Sequence, residues 1–234
     1  MTETGSTEPD TAGRNTAEPP LRKDAALNRE RLIEAGRDLF AKRGLSATLN
    51  DVARHAGLGV GTAYRRFANK DELIDAILER QNQEMEGVLR SALAEPDPWD
   101  GLVLFLERST AMQARDRGMA QIFTGRHSCN VSYDETRDRL ASVVDDVAAR
   151  ARNSGQLRAD VTGTDLIFIQ VALSSVAAVA QDGHQPADRQ DTGELYRRYL
   201  WITLDGLRAD RDPSPLPVPP LSVDDTHELL RTEA

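Results

Sequence analysis

Residues 48–70 read TLNDVARHAGLGVGTAYRRFANK, and this stretch restricts the fold more than any other. Thr48 and Asp51 have the spacing of a capping box. The hydroxyl can accept a backbone N–H, and the carboxylate can reach back to the N–H of Thr48 itself. Val52, Ala53 and Ala56 supply a small apolar face, so the helix that follows is short. Gly57 stands where a helix ends in the left-handed conformation. Leu58-Gly59-Val60-Gly61 then turns the chain, with Leu58 as the apolar plug, and a second short helix is expected over residues 62–67. Phe67 should point inward while Tyr64, Arg65 and Arg66 cover the other faces. Asn69 and Glu72 repeat the capping-box spacing and open a longer helix. This is the pattern of a helix-turn-helix.

Such a unit lays its second helix in the DNA major groove, with the N-terminal residues at the base edges. The small residues Gly59, Val60, Gly61 and Ala63, with Thr62 among them, let the backbone come close. Val60 offers an apolar contact to a thymine methyl, and Arg65 or Arg66 a bidentate pair to guanine. Tyr64 and Lys70 suit phosphates, as does the Thr48 cap with Leu49 and Asn50 behind it, where a helix N-terminus leaves N–H groups unpaired. The plain alternative is an αα corner whose two arginines are a solvated face.

The segment resembles the DNA-binding domain of the TetR family of bacterial transcription regulators. The resemblance rests on Ile33, Ala35, Leu39 and Phe40 of a first helix, Gly44, Thr48, Val52-Ala53 and Ala56-Gly57-Leu58. It continues through Gly61-Thr62, Tyr64, Phe67, Lys70 and Leu73, covering residues 28 to about 80. It implies that Tyr64 and Lys70 contact phosphates. Family members often carry a serine N-cap where this chain has Gly59; glycine costs only a few tenths of a kcal/mol in that role.

Charge at first argues against nucleic acid, because the 234-residue chain carries a net −9. Yet residues 41–70 hold Lys42, Arg43, Arg54, Arg65, Arg66 and Lys70 against the single acid Asp51, a local +5 that leaves −14 for the remainder. Binding depends on the local patch, and an acidic remainder holds the other faces off the duplex. The single Cys129 rules out an intramolecular disulfide, which fits a reducing compartment. The first twenty residues are polar and acidic with no apolar core of a secretory signal. No run of eighteen apolar residues occurs; residues 166–180 come nearest and are broken by Gln170, Ser174 and Ser175. A cytoplasmic protein without membrane association is expected.

The chain reads as all-α. Residues 1–22 lack the apolar content to fold and are expected to be a disordered tail. A helix-turn-helix domain follows over 23–80, its first helix spanning residues 25–43 with Leu32, Ala35, Gly36, Leu39 and Phe40 at the helical period. A regulatory and dimerisation domain is expected over 81–210 and a proline-rich tail over 211–234. A long helix runs over residues 70–94, and Asp97-Pro98 starts the next, which fades near Arg115. Residues 124–133 read as a loop, 134–152 as an amphipathic helix ended by Gly155, and 157–160 as an extended link. Thr162 and Asp165 open a helix reaching Gln181 that is apolar on most sides, and residues 194–208 form another. The proline-rich tail is expected to be extended, with one helical turn over 226–231.

Two adjacent helices with more apolar surface than one small domain needs suggest a subunit interface. The resemblance implies that the last two long helices build a four-helix homodimer bundle. It also implies a small-molecule effector among the C-terminal helices, for which Trp99, Phe105, Met112, Phe123, His127 and Phe168 are the candidate lining. Aromatics at helical spacing are otherwise plain core. The stretches DRGMA and GQLRADVTGTDL resemble a TetR subgroup.

Other chemistry is thin. The four histidines lie far apart, and His127, Cys129 and Asp134 have no recognised metal spacing. Asp145 and Asp146 are neighbours on a helix and point apart, so they make no catalytic pair. The glycines at 57, 59 and 61 follow a helix rather than a strand, which excludes a phosphate-cradling loop. No enzyme, cofactor or metal is expected. The reading is a sequence-specific DNA-binding regulator, most simply a repressor, that binds double-stranded DNA as a homodimer. A helical interaction module without DNA binding is the alternative, and charge reversal at Arg65 and Arg66 would leave such a module untouched.

Overall fold

The computed structural model describes residues 20–115, 131–182, 192–210 and 216–230. Among them the regular structure is helical: α1 Pro20–Arg43, a 3₁₀ turn Gly44–Ser46, α2 Leu49–His55, α3 Val60–Tyr64, α4 Lys70–Ala94 and α5 Pro98–Arg115. Then come α6 Val131–Asn153, α7 Gly163–Asp182, a 3₁₀ turn Thr192–Glu194, α8 Leu195–Leu207 and α9 Val223–Leu230.

Two large hydrophobic cores hold these helices, with a small third cluster of Ala114, Ala177 and Tyr196 beside the second. In the first, Leu32, Leu39 and Phe40 of α1 meet Leu49, Val52 and Ala53 of α2, Ala63, Phe67 and the first turns of α4 through Leu78. The second begins farther along α4 at Leu89 and gathers Leu102, Phe105 and Leu106 of α5 with Val144, Val147, Leu166, Leu173, Leu200 and Leu204. One helix therefore belongs to both cores and ties the helix-turn-helix to the body. Helix α5 packs against α4, α6, α7 and α8.

Polar groups close the ends. Asp97 accepts the Trp99 N–H at 2.7 Å, capping α5 with Pro98 at its first position. The guanidinium of Arg150 on α6 donates to the carbonyls of Leu93 (3.0 Å) and Glu95, groups that the end of α4 leaves without helical partners. Gly163 lies so close to α6 that an added Cβ would stand 2.6 Å from the Asp145 Cα, and its N–H donates to the Asp145 carboxylate.

Several boundaries differ from expectation. Helix α1 starts at Pro20 instead of residue 25, so residues 20–22 of the expected disordered tail are helical. Helix α3 occupies Val60–Tyr64 rather than 62–67, because Gly59 already serves as N-cap. Helix α6 begins at Val131, inside the expected loop. The link after it pairs with the end of α8, through an antiparallel bridge between Leu157 and Arg208. The last segment forms α9, longer than one turn, because Ser222 and Asp225 make a capping box. Thr164 Oγ1 donates to the Leu221 carbonyl at 2.9 Å and Thr226 is buried, so this segment is anchored to the body. Within α7, the window Gly163–Ala180 is long and apolar enough to cross a membrane by length and composition, with a mean hydropathy of 1.6 and 33% of it buried.

Candidate nucleic-acid interface

The Thr48 hydroxyl accepts the Asp51 N–H (3.2 Å), and the Asp51 carboxylate accepts the Thr48 N–H (3.0 Å). Asp51 also accepts from the Thr48 hydroxyl and from Arg54, each at 2.5 Å. The Thr48 hydroxyl, then its N–H, then Arg54 hold the Asp51 carboxyl down at about 2. The box fixes where α2 begins. Its end is a Schellman motif: Leu58 N–H bonds to the Ala53 carbonyl, Gly57 N–H bonds to that of Arg54, and Gly57 has φ +68°. Leu58 packs on the first core.

Helix α3 is too short to stand on its own hydrogen bonds. Ala63 and Phe67, both buried, anchor it, and Phe67 N–H bonds back to the Ala63 carbonyl. Arg29 stacks over the Phe67 ring at 5.5 Å. With its inner side so held, α3 turns Val60, Gly61, Tyr64, Arg65 and Arg66 outward to solvent. Thr62 is half-buried and accepts from Arg65 at 3.2 Å, which aligns that guanidinium along the helix. Asn69 caps α4 by accepting the Glu72 N–H, but Glu72 accepts from Ala68 rather than from Asn69, so only half of a capping box forms. Lys70, half-buried, is the first residue of α4.

Thr48 and Asn50 are exposed at the N-terminus of α2, beside the α3 face in the chain. Leu49 is 3% exposed and its side chain lies in the first core, which leaves its backbone N–H as the group that could meet a phosphate. The basic patch is also less free than its sequence suggests. Lys42 donates to Asp38 at 2.8 Å, His55 Nε2 is 2.6 Å from the same carboxylate, and Arg54 is held by Asp51. Lys42 first, then His55, keep the Asp38 carboxyl below the usual range. The Asp38–Lys42 spacing is visible in the sequence, whereas His55 joins them only through the fold.

The expected effector lining fares unevenly. Phe105 and Met112 are buried on α5 and Phe168 is half-buried on α7. Trp99 and Phe105 both belong to the second core, and Arg208 stacks on the Trp99 ring at 3.9 Å. Phe123 and His127 lie outside the described residues.

The sequence model of the family described as "Bacterial regulatory proteins, tetR family" matches residues 32–77, the capped and anchored unit above. A second, described as "Transcriptional regulator SbtR-like, C-terminal domain", matches residues 97–209. The chain belongs to the TetR family of transcription regulators. It is similar to HTH-type transcriptional regulator TtgR of Pseudomonas putida, at 31% identity over 53% of this chain and 61% of that one. SrpR of Pseudomonas putida is 26% identical over 57% and 65% respectively. The chain thus spans about three fifths of the length of the curated relatives it matches. A TetR transcription regulatory protein from Mycobacterium vanbaalenii superposes with a TM-score of 0.57 at 28% identity, covering 81% of this chain and 99% of that one. TetR transcriptional regulator SCO0520 from Streptomyces coelicolor gives 0.58 at 26%, covering 78% and 99%. The TetR-type helix-turn-helix is therefore the unit in which Thr48, Val60, Tyr64, Arg65, Arg66 and Lys70 stand.

Proposed function

We propose that this TetR-family chain is a homodimeric, ligand-responsive repressor that binds a pseudo-palindromic operator. The observation that carries the reading is the outward face of α3. Val60, Tyr64, Arg65 and Arg66 are exposed on a helix whose inner side is fastened by Ala63 and Phe67. Residues 23–80 act as the DNA-binding unit and residues 81–210 as the regulatory and dimerisation unit. Arg65 or Arg66 reads guanine and Val60 meets a thymine methyl, while Tyr64, Lys70 and the α2 N-terminus take phosphates.

The apolar surface of α7 and α8 supports the dimer. Tyr199, Trp201 and Ile202 on α8 and Val179 on α7 are all exposed, Val179 by 72%. Surface of this kind on a protein marks an interaction site, and two copies pairing α7 with α8 would cover it. A two-fold axis there sets two α3 helices on successive major grooves about 34–36 Å apart. An effector that favours a different spacing releases the operator. Selection from random-sequence DNA tests this reading: it should return two inverted half-sites at one fixed separation. Single half-sites, or no enriched motif, would contradict it.

A further inference from the structure

Among the described residues, three buried side chains of the body hold polar atoms with no hydrogen-bond partner: Gln81 on α4 (Nε2 and Oε1), Thr110 on α5 (Oγ1) and Gln170 on α7 (Nε2). They are 2%, 0% and 5% exposed. An unpartnered buried amide or hydroxyl gives up its bonds to water and recovers nothing, so native interiors hold few of them. Thr110 is the clearest case. Its neighbour Ser109 donates to the Phe105 carbonyl one turn back, and Ser91 and Thr203 do the same on their own helices. Thr110 has that option in its own helix and does not take it.

Helix α5, which carries Thr110, packs against both α4 and α7, the helices that carry Gln81 and Gln170. Helices α4 and α5 run antiparallel from the turn at residues 95–97, and Gln81 and Thr110 stand about equally far from it. On α7, Leu166, Gln170, Leu173 and Ala177 are buried, and α7 packs against α5 as well as α6 and α8. Leu166 and Leu173 share a core with Phe105 and Leu106, and Ala177 clusters with Ala114. Thr110 sits between Leu106 and Ala114 on the opposing helix, as Gln170 sits between Leu166 and Ala177. Among the described residues the buried polar side chains are all uncharged.

We propose that Gln81, Thr110 and Gln170 are the recognition groups of the effector site, and that its ligand is an uncharged, mainly apolar molecule carrying an amide, ketone or hydroxyl group. This inference rests on the ligand-responsive reading above. A glutamine Nε2 donates to a carbonyl, and its Oε1 or a threonine hydroxyl accepts from O–H or N–H, so the set serves neutral polar groups of either kind. A carboxylate or ammonium brought to these groups would meet no buried counter-charge among the described residues, and an unpaired ion is costly there.

The test has two readouts. In the ligand-free protein, Thr110→Val and Gln170→Leu each remove an unpartnered polar group at nearly constant volume. Each should raise Tm by about 2–4 °C; a fall in Tm for both would show that the groups are structurally satisfied and would overturn the proposal. The second readout uses matched probes, 2-naphthamide against 2-naphthoate and 1-decanol against decanoate, in thermal shift and in displacement of bound DNA. At least one neutral member should raise Tm and release DNA, with its Kd weakened about tenfold or more in Gln81→Leu/Gln170→Leu, the loss of one hydrogen bond's worth of affinity. Response to the carboxylates alone, or to none of the four, overturns the proposal. Specific DNA binding measured before any probe is added reports on the regulator reading by itself, so the two failures are distinguishable.

Discussion

Arg37 of α1 donates two parallel hydrogen bonds, each 2.9 Å long, to the Glu84 carboxylate of α4. Arg80 joins the same cluster, lying 3.5 Å from Glu84 and bonding to Glu30 of α1. A planar fork on a carboxylate fixes orientation as well as distance. Any rotation of α4 in the body must therefore carry α1 with it, and α1 is a wall of the helix-turn-helix core. The clamp adds to the apolar core that α4 already shares with α1 through Leu73, Ile74 and Ile77.

Removing the clamp should loosen the fold modestly. Arg37→Ala and Glu84→Gln each lower unfolding stability by about 1–2 kcal/mol, less than a fully buried pair because Glu84 is partly solvated. Denaturant titration of a double-mutant cycle checks this: the two losses should be strongly non-additive, and simple additivity would show that the fork carries no coupling.

Acid should weaken the protein through its depressed carboxylates, Glu84 and Asp51 among them. Burial pushes Glu84 up, but Arg37 and then Arg80 offset it and leave it below its ordinary value. Asp51 is held at about 2 by Thr48 and Arg54. A depressed folded pKa gives stability that is fully present above the unfolded value, about 4, and is lost as pH falls through the folded value. The wild type should thus lose stability between about pH 4 and pH 2 more steeply than Asp51→Asn, as followed by helical circular dichroism. Parallel acid limbs would remove the capping box from the account.

Gly57 should resist replacement. At φ +68° a Cβ is strained although nothing crowds it, so Gly57→Ala is expected to cost about 1–2 kcal/mol. An unchanged denaturation midpoint would mean that the turn relaxes freely.

Much of this is legible in the sequence, and the reason is range. The Thr48–Asp51 box, the Gly57 terminator, the inward Phe67 and the Asp97-Pro98 start are all decided within a few residues of chain. The clamp Arg37–Glu84, the His55–Asp38 contact and the Arg150 grip on the end of α4 join residues far apart, and no local spacing announces them. The burial of the Leu49 side chain is not legible, because capping spacing says where a helix begins and not which of its faces is buried. An aromatic at helical period reads the same in a core as in a pocket, so the core placement of Trp99 and Phe105 is open in the sequence, and Arg208, which stacks on Trp99, lies at the far end of the body sequence.

The dimer face makes its own prediction. Trp201→Glu with Ile202→Glu places charges on exposed apolar positions of α8 and should leave the monomer folded. Light scattering should show wild-type dimers and variant monomers, the latter with lost operator affinity. A dimeric variant would move the interface elsewhere.

Arg65 and Lys70 should separate base reading from phosphate contact. Arg65→Ala is expected to cost about 1–3 kcal/mol on the preferred site and to relax base preference. Lys70→Ala should weaken all sequences alike and lower the salt slope by about one. Equal losses on every DNA for both variants would remove Arg65 from base reading.

The most direct measurement is fluorescence anisotropy on the DNA just upstream of this chain's own coding region, at physiological salt with excess non-specific competitor. Saturable binding that survives competitor in the wild type and collapses in Arg65→Ala/Arg66→Ala is the predicted result. Binding that vanishes with competitor, both there and on sequences recovered by random selection, would contradict the assignment of the α3 face to sequence-specific DNA.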